Sequence, residues 1–143
     1  MRPAFRTLLA SLPVLAAMAF APHGALAQNK PTKPTPALQK EYDSFIAAFR
    51  AALKANDAAA VTSMTRMPFS HDNGRIDAAE FRAKAYPYYF TPRHRACIQT
   101  VKGVYDVDGL NQHNFVIVCS DETMFIFTKM ENGFKFTTAG EAD

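Results

Sequence analysis

Few side chains in this sequence have the types and spacing that catalysis or metal binding requires. After residue 27, His71 stands beside Asp72, His94 lies between two arginines, and His113 precedes an apolar run. These histidines lack the spacing of metal ligands. His71 and Asp72 suggest an acid–base pair, but neighbours in a polar loop usually point to solvent. The basic cluster at residues 93–95 suits a carboxylate or phosphate, although a solvated strand entrance needs no partner. We expect no catalytic residue, no metal site and no cofactor.

The amino terminus has the three parts of a cleavable secretory signal peptide. Arg2 and Arg6 precede an apolar run of about 13 residues, and a small-x-small site ends at Ala27. The run is shorter than the roughly 20 residues of a membrane-spanning helix. We therefore expect cleavage between Ala27 and Gln28 and a periplasmic or secreted product without a membrane anchor; the alternative is an uncleaved anchor.

Charge and length then describe the mature chain. Of the 16 Lys and Arg residues, 14 remain beside all 13 Asp and Glu residues, so the net charge is only +1. A near-neutral domain has no electrostatic footprint for nucleic acid or for an anionic membrane surface. We expect residues 28–36, which are rich in proline, to form a disordered tether. Residues 37–143 are enough for a single domain.

Export bears on the two cysteines, Cys97 and Cys119, because two cysteines in an oxidising compartment most economically form one disulfide. If residues 96–105 and 113–119 pair as a hairpin whose turn centres on Asp108, each cysteine lies 11 residues from that centre. The two would then face each other at a Cα separation of about 4.5 to 5.5 Å, which a disulfide accepts. The alternative is a pair of buried, reduced thiols.

The elements that position these groups follow from hydrophobic periodicity. From Ala37 onward, apolar residues recur every three or four positions, which predicts a first helix ending before Asn56. A second helix is expected over residues 58–65, and residues 71–74 are expected to form a loop. A third helix should start at the capping residue Asp77 and end at Pro87.

The last third of the chain changes character, because β-branched and aromatic residues concentrate there in short runs. Strands are expected near residues 96–105, 113–119, 122–129 and 134–138. The Asn132–Gly133 pair suits a primed hairpin turn between the last two. The second and third strands are apolar at both parities, so we expect both of their faces to be at least partly covered.

Helices followed by a meander of strands resemble the cystatin-like, nuclear-transport-factor-2-like superfamily, which includes the ketosteroid isomerases and SnoaL-type cyclases. The most specific match is Phe-Arg-Ala-Ala-Leu-Lys-Ala-Asn-Asp at residues 49–57, which looks like the end of that superfamily's first helix and the turn after it. The resemblance covers roughly residues 38–138. It implies an α+β fold with three N-terminal helices packed on a curved antiparallel sheet of about four to five strands, forming a cone.

In that superfamily the helices and the concave sheet face usually enclose a pocket. The resemblance implies a mostly aromatic lining here, formed by Tyr42, Phe45, Phe49, Tyr86, His113, Phe115 and Phe127. The alternative is that a small domain without tryptophan needs these rings for its core. The isomerase chemistry does not carry over: the tyrosine that donates to the oxyanion falls on Phe49, and Met67, Pro68 and Phe69 stand where the carboxylate base is expected.

The sequence therefore predicts an exported, non-catalytic module that binds a small apolar ligand or an envelope protein. Relatives of this fold often pair through their sheets, so a homodimer is a further expectation. The first alternative is an enzyme of the same fold, of isomerase, dehydratase or hydrolase type, using Tyr42 with His113 or Asp72. The second is an inhibitor or immunity protein of a secreted hydrolase, acting through an exposed loop at residues 68–74.

Overall fold

The structure, a computed structural model, describes residues 30–142. The predicted signal peptide, its cleavage site and the first residues of the tether lie outside the described residues. The first helix, α1, spans Pro36–Lys54. Thr35 caps it by accepting a hydrogen bond from the Leu38 amide at 3.2 Å, and Pro36 occupies the first helical position. The helix predicted from Ala37 is therefore present with nearly the predicted bounds.

The second helix, α2, spans Ala58–Ser63 and is capped by Asp57, which accepts from the Ala60 amide at 2.9 Å. The left-handed conformation of Asn56, with φ 53°, turns the chain between α1 and α2. After α2, the backbone of residues 64–66 hydrogen-bonds to Phe136 in the last strand of the sheet. This pairing ends the helix two residues earlier than its predicted bound.

The predicted loop at residues 71–74 is in fact the tip of a hairpin. Strands β1 (Phe69–His71) and β2 (Gly74–Ile76) pair antiparallel, with His71 opposite Gly74. Asp72 and Asn73 between them have φ values of 47° and 62°, as a type I′ turn requires. The loop predicted over residues 71–74 is therefore confined to the two-residue turn at Asp72 and Asn73, because His71 and Gly74 pair at the ends of the two strands.

The third helical region continues past the proline that was expected to end it. It consists of α3 (Ala78–Glu80), a π-helical turn (Phe81–Ala85) and α4 (Tyr86–Tyr89). Asp77 caps its start, as predicted, by accepting from the Glu80 amide at 2.9 Å. The wide π-helical turn makes room for the ring of Pro87 where a regular α-helix would clash with it.

The largest correction concerns residues 96–100, which were predicted to be in a strand. They belong to helix α5, Pro92–Thr100, whose start is capped by Thr91 with the His94 amide 3.3 Å away. At its other end, the Arg50 guanidinium donates to the carbonyls of Ile98 at 2.7 Å and Val101 at 2.8 Å. These bonds satisfy carbonyls at the end of the helix, which outweighs the β preference of the branched side chains.

Four antiparallel strands in the order β3-β4-β5-β6 form the main sheet. They are β3 (Val104–Val107), β4 (His113–Val118), β5 (Thr123–Met130) and β6 (Gly133–Glu141). The last three are close to the predicted strands. At the β5–β6 turn the left-handed conformation falls on Gly133, with φ 107°, and a β-bulge shifts the register beside Phe127. The described residues thus form an α+β fold with helices, a four-stranded antiparallel sheet and a two-stranded one.

The two faces of the sheet differ in how well they are covered. Phe115, Phe127 and Phe136 on the inner face are almost completely buried under α1 and α4. On the outer face Val116 is half-buried, whereas Val118 is 45 % exposed. The sequence predicts that both faces of this strand are at least partly covered. This holds at Val116 in the middle of β4 but not at Val118 at its end. Pairing of two copies through the outer face stays a prediction. No helix within residues 30–142 is long and apolar enough to cross a membrane.

A disulfide joins Cys97 and Cys119, as predicted, but its geometry differs from the prediction. Cys97 lies on α5 and Cys119 directly follows β4, with their Cα atoms 6.0 Å apart. The pairing is therefore a tie from a helix to the end of a strand and not a pair across one hairpin. It closes a loop over a sequence separation of 22 residues, which includes β3 and β4.

Replacing both cysteines, Cys97→Ser and Cys119→Ser, should destabilise the protein by about 3 kcal/mol, because the open chain regains loop entropy when it unfolds. Urea unfolding followed by circular dichroism measures the difference. Wild-type protein treated with a reductant should match the double variant, while the double variant should not respond to the reductant. Equal unfolding midpoints for the wild type and the double variant would contradict the expected contribution of the bridge.

Candidate functional site

Five of the seven side chains predicted to line a pocket meet between α1 and the sheet. They are Tyr42, Phe45, Phe49, Phe115 and Phe127. The Tyr42 ring stacks on Phe115 with a centroid distance of 3.7 Å and an interplanar angle of 4°. Phe49 meets Phe127 edge to face at 5.1 Å. In this structure the five rings pack against one another as core side chains, and a ligand pocket among them stays a prediction.

The hydroxyl of Tyr42 is the one polar group that α1 brings into this cluster. It is buried and has no hydrogen-bond partner within residues 30–142. Burial raises the pKa of Tyr42 to about 12, and the positive charge of Arg50 opposes that rise only in part. A β-carbon at Gly103 would collide with this hydroxyl, so glycine is needed there. Tyr42 is therefore neutral at physiological pH and unsuited to act as a base.

The other two predicted residues, Tyr86 and His113, lie apart from this cluster. The Tyr86 hydroxyl donates to the Asn56 side-chain oxygen at 2.9 Å, and burial raises the pKa of Tyr86. His113 Nδ1 lies 2.6 Å from the hydroxyl of Tyr105, not of Tyr42. The pairing of Tyr42 with His113 that the enzyme hypothesis uses is therefore not formed in this structure.

His71 and Asp72 also differ from expectation. The His71 side chain is only 8 % exposed and packs against Tyr88 and Tyr89, whereas that of Asp72 is 84 % exposed at the hairpin tip. His71 Nε2 lies 3.3 Å from the Asp72 carboxylate. The expectation that both side chains point to solvent was wrong for His71, because the hairpin turns its ring toward α4. Among residues 30–142, no three His, Cys, Asp or Glu side chains are grouped as metal ligands would be.

Beside Tyr86 the surface opens into a groove of about 390 Å³, which we call the Tyr86 groove. It lies among the α1–α2 turn, the π-helical turn, α4 and the start of α5. It is lined by Asn56, Arg82, Tyr86, Pro87, Phe90, Thr91, Pro92 and Arg95. The rings of Tyr86 and Phe90 are largely buried and form its floor, while Pro87 and Pro92 are exposed along its sides. The groove thus combines apolar walls with polar groups.

Two arginines give the groove its charge. Neither Arg82 nor Arg95 forms an ion pair with any carboxylate of the described residues. The Nε atom of Arg95 is buried and has no hydrogen-bond partner there either, and Arg95 Nη1 makes only a long contact of 3.5 Å with the Leu53 carbonyl. No aspartate or glutamate lines the groove. The groove is therefore a concave surface with uncompensated positive charge.

A separate polar network lies at the other side of α5. His94 Nδ1 is 2.7 Å from the Tyr89 carbonyl oxygen, and His94 Nε2 is 2.8 Å from the Asp121 carboxylate. Both ring nitrogens of His94 are thus engaged by oxygen atoms. The hydrogen bond from His94 lowers the pKa of Asp121 to about 2. His94 is therefore a hydrogen-bond partner of Asp121 on helix α5, and the interpretation of residues 93–95 as a solvated strand entrance was wrong.

The sequence analysis did not single out Arg82, and it considered Arg95 only as part of the basic cluster at residues 93–95, which suits a carboxylate or phosphate. Arg82 lay in a helix with no other distinguishing feature, and Arg95 was assigned to the entrance of a strand. The usable signal was Thr91–Pro92, a capping residue followed by proline, which repeats the Thr35–Pro36 start of α1. Had it been used, it would have placed Arg95 on a helix.

Comparison of the chain with known proteins identifies no relative. No protein-family model, no curated protein and no solved structure matches the chain. Function is therefore argued from the groove and its surroundings.

Replacing Asp121 by asparagine should lower the melting temperature in a pH-dependent way. Because the pKa of Asp121 is depressed in the folded state, its stabilising effect is fully present above the unfolded value of about 3.9 and is lost as the pH falls toward about 2. The gap in melting temperature between wild type and Asp121→Asn should therefore be widest above about pH 4 and shrink below it.

Asp43→Asn provides the control, because Asp43 is exposed on α1 and binds only the side chain of Gln39. Its melting temperature should stay near that of the wild type over the same pH range. A gap for Asp121→Asn that stays constant or widens in acid would contradict the hydrogen bond assigned to Asp121.

Proposed function

We propose that the protein is an exported, non-catalytic binding module of cystatin-like α+β fold, which binds a small, largely apolar ligand in the Tyr86 groove. The observation that carries this proposal is the groove itself. Its volume of about 390 Å³ lies within the range of small-molecule sites, roughly 300 to 1,000 Å³. The floor of the groove is aromatic, as was expected for the lining of the predicted pocket. Tyr86 belongs to the groove and to the set of residues predicted to line that pocket.

The packing of the interior favours a site at this groove over one between α1 and the sheet. Phe49 and Phe127 are completely buried, and each ring contacts several others. A ligand placed among them would have to separate close-packed rings, which costs contact energy on every side. The Tyr86 groove is already an open concavity, and its exposed apolar surface comes mainly from Pro87 and Pro92, since Tyr86 and Phe90 are 7 % and 3 % exposed. A ligand there needs no such rearrangement.

Two features support the proposed compartment and fold. The disulfide between Cys97 and Cys119 is compatible with an oxidising location outside the cytoplasm. The superfamily resemblance implies helices followed by an antiparallel meander. The element order of the described residues agrees with this, with a sharp turn at Asn56 between α1 and α2. Tyr42 and His113, which the enzyme hypothesis pairs, do not meet, and this supports binding over catalysis by that pair.

Filling the groove should abolish binding of an apolar probe. We expect N-phenylnaphthylamine, a neutral dye that fluoresces in apolar surroundings, to bind the purified protein. Pro92→Trp should weaken that binding at least tenfold, about 1.4 kcal/mol, because an indole at the groove wall occupies the ligand's space. Fluorescence titration gives both dissociation constants.

Pro36→Trp is the matched control, since Pro36 is also exposed and also occupies the first position of a helix, α1, away from the groove. It should bind the dye like the wild type. A wild-type protein that does not bind the dye, or a Pro92→Trp variant that binds it undiminished, would count against the Tyr86 groove as the ligand site.

Export makes a separate prediction about covalent structure. Protein recovered from the cell envelope should begin at Gln28 and should have lost two hydrogens to the disulfide, which intact-mass analysis measures directly. A variant with Ala27→Leu, which spoils the small-x-small site, should accumulate as the uncleaved chain. Recovery of full-length chain with two free thiols from the wild type would contradict the proposed route.

A further inference from the structure

We infer that the Tyr86 groove selects ligands that carry an anionic head group, a carboxylate or sulfonate, on an apolar body. This inference rests on the proposed function and names the ligand class for the same groove. An apolar ligand alone would be served by the ring floor, but it would leave the two guanidiniums of the groove without a partner. An amphipathic organic anion would satisfy both parts of the surface.

The first argument is the state of Arg95. Its side chain is half-buried. Its Nε atom is buried without a hydrogen-bond partner among the described residues, and the contact of its Nη1 atom with the Leu53 carbonyl is long at 3.5 Å. A partly buried guanidinium with unfilled donor positions is stabilised when an acceptor reaches it. A carboxylate or sulfonate provides such acceptors and a compensating charge.

The second argument is that no carboxylate within residues 30–142 forms an ion pair with Arg82 or Arg95. Asp57 lies close enough for its charge to act on Tyr86, but its carboxylate accepts from the Ala60 amide at the start of α2. Glu80, two residues before Arg82, binds Lys84 at 2.9 Å instead. The acidic groups nearest in sequence to the groove are therefore engaged elsewhere.

The third argument is the orientation of α5. Thr91 and Pro92 line the groove, and they mark the start of this nine-residue helix. The amino-terminal end of a helix carries a partial positive charge. This partial charge adds to the charges of Arg82 and Arg95, so three positive groups line the groove and favour a negative group in the ligand. Phe90 and Tyr86 lie beneath the apolar part of the ligand.

The test compares two dyes with the same ring system. Anilinonaphthalene sulfonate differs from N-phenylnaphthylamine by its sulfonate. We expect wild-type protein to bind the sulfonate dye about tenfold more tightly at low ionic strength. The double variant Arg82→Gln, Arg95→Gln should lose that preference and keep its affinity for the neutral dye. Raising the salt concentration from about 0.01 M to about 1 M should reduce the wild-type preference, because screening shortens the range of charge interactions.

Arg93→Gln is the matched control, because Arg93 is an exposed arginine on the same helix that lies outside the groove and near Asp121. It should keep the wild-type preference. If the double variant does not fold, Arg82→Gln alone suffices, since Arg82 is exposed and should affect only the sulfonate dye. A preference for the sulfonate that survives the loss of both arginines overturns this inference and leaves the proposed function intact. Failure of wild-type protein to bind either dye overturns both.

Discussion

The arrangement of the whole molecule depends on how Arg50 holds the end of α5. From near the carboxyl-terminal end of α1, its guanidinium donates to the carbonyls of Ile98 and Val101, and the Gln99 side chain donates a hydrogen bond of 2.9 Å to the Arg50 carbonyl. Hydrogen bonds from a charged donor contribute about 1.5 to 3 kcal/mol each. Without them the last turn of α5 would present unsatisfied carbonyls, and the chain here would follow its preference for extended structure.

Because α5 is fixed in this way, it carries groups to three different places. Cys97 faces the end of β4 and forms the disulfide there. His94 and Arg93 reach the turn between β4 and β5, where Asp121 accepts from His94 and Ser120 accepts from Arg93. Arg95 lies on the opposite side and lines the Tyr86 groove. One short helix thus joins α1 to the sheet and supplies one of the two arginines of the proposed ligand site.

The accuracy of the sequence predictions follows from how local their causes are. The first helix and the strands β4 to β6 could be predicted because their apolar periodicity and turn residues lie within each element. For residues 96–100 the local signal, Thr91–Pro92, marks only where their helix starts, and the group that ends the helix, Arg50, is 48 residues from Ile98. The disulfide was predicted correctly from compartment and number of cysteines, while its geometry was wrong for the same reason.

The candidate site was even less accessible to sequence reasoning, because it depends on the π-helical turn. That turn lets the chain pass through Pro87 without ending the helix, so Arg82 and Tyr86 stay on one structure beside α5. Hydrophobic periodicity and capping residues do not indicate where a helix widens into a π-helical turn. The inward-facing aromatic residues of α1 could be read from their spacing. That spacing is the same whether the rings fill a core or line a pocket, so it does not distinguish the two.

The residue at position 49 bears on where a ligand could bind, because the resemblance to the ketosteroid isomerases implies a hydrogen-bonding hydroxyl there and this chain has phenylalanine. Phe49 is fully buried against Phe90, Phe127 and Phe136, and a hydroxyl on that ring would be an additional buried polar group. An interior filled with rings is stable as core and offers little space for a substrate. The exposed apolar surface of the proposed site is then provided by Pro87 and Pro92, beside the largely buried rings of Phe90 and Tyr86.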